Sequence, residues 1–422
     1  MTRSRVLAAL AVMTFAVVAC EDDDQTQVGP VGRTAFGRYV AVGTSVSMGV
    51  ASGYNAATAE SQLRAWPSLL ATQARANNFR LPLFRPGGCL SPNIAPLSLG
   101  INIAGRAQAS PLQPDTICAG LQAGILLPTN NVAITGHKVN DALTQTPESA
   151  AVKLTDIPRR KIMPLVMLPK QTQITAMMAQ NPTFVSIELG ANDILSVASG
   201  IALQIPGGTI TPDTTFTRAY NQVIDSVKKT KAKAVLIGLP EGIEWTTSMR
   251  TGTEIHNDSI AFSQGFYLTI GSDCKTTNAA NHIFVPIRVF TFLGAARTAA
   301  GLGQPRPVMT CADGGTGVQD GVLTPAELTV ANGAIAGFNA TIQAAATANG
   351  YAYASMNAWF DRRADKPVFS VVQLLNSVQP YGKYVSLDGT HPSAAGQILI
   401  ANSAIAAINA KYGYAIPSIP AP

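Results

Sequence analysis

Only four histidines occur among the 422 residues, at positions 137, 256, 282 and 391. His391 alone has an aspartate three residues before it, in the run Asp388-Gly389-Thr390-His391-Pro392. A glycine between the two permits a tight turn, so carboxylate and imidazole can lie side by side. A carboxylate on one ring nitrogen fixes the tautomer. It also stabilises the imidazolium formed when the other nitrogen takes a proton. The nucleophile for such a base is found at Gly43-Thr44-Ser45-Val46-Ser47, directly after the apolar run Tyr39–Val42. Ser45 therefore falls where a buried strand ends and a helix can begin, the edge at which open α/β sheets place their sites. Its own N–H faces the same space and can serve an oxyanion. Two more strand ends offer donors. Asn131–Thr135 runs into Gly136, whose N–H no side chain screens, and Phe184–Leu189 runs into Gly190-Ala191-Asn192-Asp193, where Asn192 carries a neutral amide. Each group falls at a strand end or a turn, where one site can gather a serine, a base with its carboxylate, and donors suited to a developing oxyanion.

The elements that must position these groups alternate along the chain. Short apolar strands are expected at 39–42, 131–135, 184–189, 234–239 and 351–355, and helices at 60–77, 171–180, 215–231, 324–349 and 392–411. Strands alternating with helices predict a central, mostly parallel sheet covered on both faces, a three-layer α/β/α sandwich of flavodoxin-like type. One helix start is explicit. In Thr324-Pro325-Ala326-Glu327, Thr324 can cap, Pro325 suits the first helical position and Glu327 completes a capping box. Two stretches interrupt the alternation, at about 79–130 and 241–323; both read as loop insertions, the second lying over one end of the sheet. Counting back from Glu327, a calcium loop would need acids at Thr316 and Val318, so an EF-hand is excluded.

The amino terminus reads as an address. Arg3 and Arg5 precede a short apolar stretch, Val6–Val18, and Val17-Val18-Ala19-Cys20 closes it. The stretch is too short for a comfortable transmembrane helix and has the shape of a secretory signal, residues 1–19. Its ending resembles the bacterial lipobox, which implies diacylglyceryl attachment to Cys20 and a lipid-anchored location in the bacterial cell envelope. Residues 20–33, opening Glu21-Asp22-Asp23-Asp24, form an acidic tether, and residues 34–422 the folded domain. Cys20 aside, Cys89, Cys118, Cys274 and Cys311 remain, an even set that suggests two disulfides in an exported protein. Three pairings exist; Cys89–Cys118 and Cys274–Cys311 are favoured because each closes a single loop. No CxxC or HxxxH spacing supports a metal site. Net charge is +6, or +4 without Arg3 and Arg5, and scattered, which argues against a nucleic-acid partner.

Four blocks in a fixed order carry a family resemblance. Gly43-Thr44-Ser45-Val46-Ser47, Gly136, Gly190-Ala191-Asn192-Asp193 and Asp388-Gly389-Thr390-His391 resemble the Gly-Asp-Ser-x-Ser, lone Gly, Gly-x-Asn-Asp and Asp-x-x-His blocks of the SGNH hydrolases, the GDSL esterases and lipases. The resemblance spans about Tyr39 to Lys411. It implies hydrolysis of small-molecule, lipid or glycan esters through an acyl-enzyme, without metal or organic cofactor: Ser45 attacks the carbonyl, His391 moves the proton, Asp388 orients His391, and the Ser45 N–H, the Gly136 N–H and the Asn192 side chain hold the oxyanion. One departure stands out: Thr44 replaces the Asp before the nucleophile, which puts the local hydrogen bonding of that block in doubt. Two other readings stand beside the esterase. One is a non-catalytic surface lipoprotein binding glycan or lipid on the same scaffold; the other is a polysaccharide O-deacetylase.

Overall fold

The computed structural model describes residues 34–51, 57–86, 88–89, 119–152, 157–246, 248–315, 318–360 and 370–421. Cys20, the signal segment, the tether and Cys118 lie outside them, as does most of the first insertion. Four parallel strands make the central sheet: β1 (Tyr39–Gly43), β2 (Phe184–Glu188), β3 (Lys233–Gly238) and β4 (Ala352–Ser355), in the order β1-β2-β3-β4. Residues rich in β-branching and buried on both sides give near-continuous apolar runs, as a parallel sheet requires. The helices that bear on the site are α1 (Ser45–Met48), α2 (Trp66–Gln73), α3 (Val139–Thr144), α4 (Asp213–Thr230), α5 (Pro325–Asn349) and α6 (Ala394–Tyr412).

Alternation along each strand builds two cores. Val40, Val42, Val185, Ile187, Ala234 and Leu236 pack on one face against Phe216, Tyr220 and Val223 of α4 and Ile335 and Phe338 of α5. Tyr39, Ala41, Phe184, Val235 and Ile237 pack on the other against Trp66 and Leu70 of α2 and Ile400 and Ile405 of α6. The sheet and its helical layers are those expected. The α5 start is too: the Thr324 hydroxyl accepts from the Glu327 N–H at 3.3 Å, and the Glu327 carboxylate accepts from the Thr324 N–H at 3.0 Å.

Three local expectations differ. The helix foreseen at 60–77 is two, Ala59–Leu63 and α2, with Arg64 and Ala65 between. Pro67 is the cause, since it has no N–H and its ring blocks the preceding turn. Segment 131–135 forms a single parallel bridge, Ala41 with Asn131, not a strand. It still runs along the free edge of β1, with Val132 N–H donating to Ala41 O at 2.9 Å and Ile134 N–H to Gly43 O at 3.0 Å. The buried Gln173 amide completes that edge by donating to Gly43 O and Val132 O, both at 2.8 Å. Finally, Ser393 caps α6 and Pro392 stands just outside it.

The stretch 241–323 carries its own small core, with Ile255, Phe262, Leu268, Ile283 and Met309 buried together. It holds an antiparallel set of Met249–Thr251, His282–Phe284 and Val322–Leu323, and a parallel pair of Thr269–Ile270 and Val308–Met309. The Cys274–Cys311 disulfide lies inside that core. Cys89 is also disulfide-bonded. Among the described residues no helix is long and apolar enough to cross a membrane.

Candidate active site

Ser45 opens α1 immediately beyond β1. At the first position of a helix the backbone N–H has no acceptor within the helix. The turn closes because residue 43 is glycine: a Cβ there would stand 2.3 Å from Ser47 Oγ and 3.0 Å from a Glu188 oxygen. Asp388 and His391 come from the loop before α6. Gly389, at φ +73°, turns that loop in the left-handed region that glycine accommodates, and Ser386 N–H donates to His391 O at 2.8 Å across it.

The three side chains meet in series. His391 Nε2 lies 2.8 Å from Ser45 Oγ, and His391 Nδ1 lies 2.7 Å from Asp388 Oδ2. Asp388 Oδ1 accepts from Ser386 Oγ at 2.9 Å and from the N–H groups of Thr390 and His391, both at 2.8 Å. All three groups are largely buried, with Ser45 5% exposed and the His391 and Asp388 side chains 16% and 10%. Burial works against ionisation of Asp388. The charge of His391 and the hydrogen bonds outweigh it, and the carboxyl sits well below the usual carboxylate range. Burial likewise opposes a charged His391, yet the neighbouring Asp388, its hydrogen bond and the more distant Glu188 carry the imidazole above its ordinary value. The arrangement sets an imidazole within hydrogen-bond reach of a serine hydroxyl, with a carboxylate on its other nitrogen.

The two foreseen donors are linked to one another. Asn192 Nδ2 donates to the carbonyl of His137 at 3.0 Å, so its amide is tied to the turn that holds Gly136. Gly136 has φ +74°, and its carbonyl accepts from Arg159 at 3.4 Å. Asp193 locks the same junction, because its carboxylate accepts from Val139 N–H, the first residue of α3, at 2.9 Å. Burial, opposed by the bonds from Val139 and Thr211, pushes the Asp193 carboxyl up to about 6. Among the described residues no group of three or more His, Cys, Asp or Glu side chains is gathered as a metal site.

The sequence profile of GDSL-like lipases and acylhydrolases matches residues 25–404. The chain belongs to that family. It is therefore a carboxylic ester hydrolase of the SGNH superfamily. No curated protein matches it in sequence. Among solved structures, an extracellular lipase from Streptomyces rimosus is similar at 14% identity and TM-score 0.33, and a phospholipase A1 from Streptomyces albidoflavus NA297 at 17% and 0.34; each comparison covers 88% of this chain and 98% of the other.

In this GDSL-type hydrolase the anomalous Thr44 has a partner that the sequence reading missed. Thr44 N–H donates to Glu188 Oε2 at 2.9 Å, and Thr44 Oγ1 lies 2.8 and 3.0 Å from the two carboxylate oxygens. Ser47 donates to Glu188 Oε2 through its N–H at 3.2 Å and its hydroxyl at 2.9 Å. The signal was present as a carboxylate closing an otherwise apolar buried strand, one residue before Leu189-Gly190. Its meaning depended on the β1–β2 register, which pairs Gly43 with Glu188.

Proposed function

We propose that this hydrolase cleaves carboxylic esters through an acyl-enzyme on Ser45. The observation that carries the reading is the unbroken relay from Ser45 Oγ through His391 to Asp388, at 2.8 and 2.7 Å. Ser45 attacks the ester carbonyl as its proton passes to His391 Nε2. The imidazolium, stabilised by Asp388, returns that proton to the departing alcohol. The tetrahedral oxyanion is held by the N–H of Ser45, the N–H of Gly136 and the remaining amide hydrogen of Asn192. Water then enters by the same relay and frees the acid. The reading as a non-catalytic binding scaffold drew its support from Thr44, and Glu188 removes that support by supplying a carboxylate to the same turn.

The proposal extends to location. Cys20 carries diacylglycerol after removal of residues 1–19, and the acidic tether holds the domain off the membrane, outside the cytoplasm. The chemistry is tested with a fluorophosphonate probe and a short activated ester. The parent protein is labelled on Ser45. Ser45→Ala and His391→Ala each lose several orders of magnitude in kcat, and the double variant is little worse than either, because the two act as a unit. Near-normal turnover in either single variant refutes the assignment.

A further inference from the structure

We propose that Glu188 is a positioning residue for Ser45: its carboxylate clamps Thr44 and Ser47, on either side of the nucleophile, and so fixes Ser45 against His391. The inference rests on Ser45 being the nucleophile and concerns what holds it there. Glu188, Thr44 and Ser47 have no exposed surface. Four donors converge on this one carboxylate: the N–H and hydroxyl of Thr44 and the N–H and hydroxyl of Ser47. Ser47 Oγ in turn accepts from Trp66 Nε1 at 3.1 Å, so its proton is directed to Glu188. A group met by donors alone suits an acceptor-only carboxylate, and charge-assisted bonds of this kind are about twice as strong as neutral ones. The clamp spans Ser45 from both sides and crosses from one strand to the next. Gly43 is part of it, since any side chain there collides with Ser47 and Glu188.

The clamp also sets a charge beneath the relay. Burial raises the Glu188 carboxyl while the bonds from Thr44 and Ser47 hold it down, and the balance lies above the usual carboxylate value. Two titratable groups on other elements interact with it. Its negative charge favours the imidazolium of His391, on the loop before α6, in the same sense as Asp388. Across the sheet, on α4, it helps keep the Tyr220 phenol neutral. A residue that merely filled space would leave the titration of His391 where it was.

The test is a set of variants with kcat, KM and a pH profile measured on one neutral ester. Thermal unfolding identifies the variants that fold. Glu188→Gln keeps the size and removes the charge. It moves the acid limb of kcat/KM to lower pH and lowers kcat with little change in KM. Glu188→Thr removes the clamp and lowers kcat by about 10²-fold, the cost of a misplacement on the order of 1 Å. Thr44→Asp/Glu188→Thr returns a carboxylate to the turn from the other strand and recovers part of that loss. A Glu188→Gln profile that coincides with the parent in limb and kcat overturns the proposal, and that variant alone decides if Glu188→Thr does not fold. Failure of the nucleophile assignment has a different signature: the parent itself is not labelled at Ser45.

Discussion

Asp388 directs both oxygens inward, one to the imidazole of His391 and one to three donors of its own turn. The consequence is a pair whose titrations are pulled apart. In the proposed mechanism His391 is neutral when it accepts the proton of Ser45, and it is held above the ordinary imidazole value by Asp388 and Glu188 against the effect of burial. Activity therefore falls on the acid side from a pH above about 6.5; a profile of kcat/KM on a neutral ester locates that limb, and a limb below the free imidazole value contradicts it. The same shifts affect stability with opposite signs. The lowered Asp388 contributes above the usual carboxylate range and loses its contribution as pH falls through its folded value. The raised His391 contributes below its ordinary value and loses its contribution as pH rises through its folded one. Asn192→Ala is expected to lower kcat by about 10²–10³-fold with KM nearly unchanged, the size of one lost oxyanion donor; a change confined to KM would make Asn192 a ground-state contact. Ser45, Asp388 and His391 were legible because their relation is one of sequence spacing and strand ends. Glu188 was not, because its partners are 144 and 141 residues away and meet it only through strand register.

At the scale of elements, the legible parts were those whose signals are local. The start of α5 shows this: Thr324 and Glu327 bond reciprocally, as their spacing implied. Thr324→Ala should cost about 1 kcal/mol of stability and leave kcat unchanged, which urea unfolding beside an activity assay measures; an equal loss of kcat would tie this helix to the site. The break before α2 was missed although Pro67 was visible, because the apolar spacing through Leu63, Trp66 and Leu70 continues across it. Leu63 shows the error, being 53% exposed while Trp66 and Leu70 are fully buried. Segment 131–135 was read as a strand for its apolar run. It has the edge position and bonds to Ala41 and Gly43 of β1, but the ladder is interrupted at Val132, whose carbonyl accepts from the Gln173 amide.

For the whole molecule, the two-faced sheet was legible from alternation alone, whereas the interior of 241–323 was not. Its short strands pair out of chain order and its core draws on Val371, Leu374 and Tyr381 from beyond its own boundaries. Of the pairings favoured from the cysteines, Cys274–Cys311 is formed; the other involves Cys118, outside the described residues. The proposed anchor lies at Cys20, outside the described residues. Replacing Cys20 by Ser should abolish processing and leave the uncleaved precursor, seen by cell fractionation and mass; a variant cleaved and partitioned like its parent would make this an ordinary secreted esterase.

Among the described residues, Ser248 of the insertion meets the turn that carries the acid and base of the relay. Ser248 Oγ donates to the carbonyl of Gly389 at 2.9 Å, and a Cβ added at Gly389 would stand 2.6 Å from the Ser248 Cβ. Gly389 is the pivot between Asp388 and His391, so the acid and base are braced by a stretch of chain that contributes nothing to the central sheet. A stretch with its own small core can open locally at less free energy than global unfolding requires. On warming, turnover is then expected to fail first, while the helices and strands of the main body still give their full circular-dichroism signal. A kcat-against-temperature curve that breaks below the circular-dichroism midpoint is the expected outcome; it would place the upper working temperature of the enzyme in its appendage, and coincident midpoints would not.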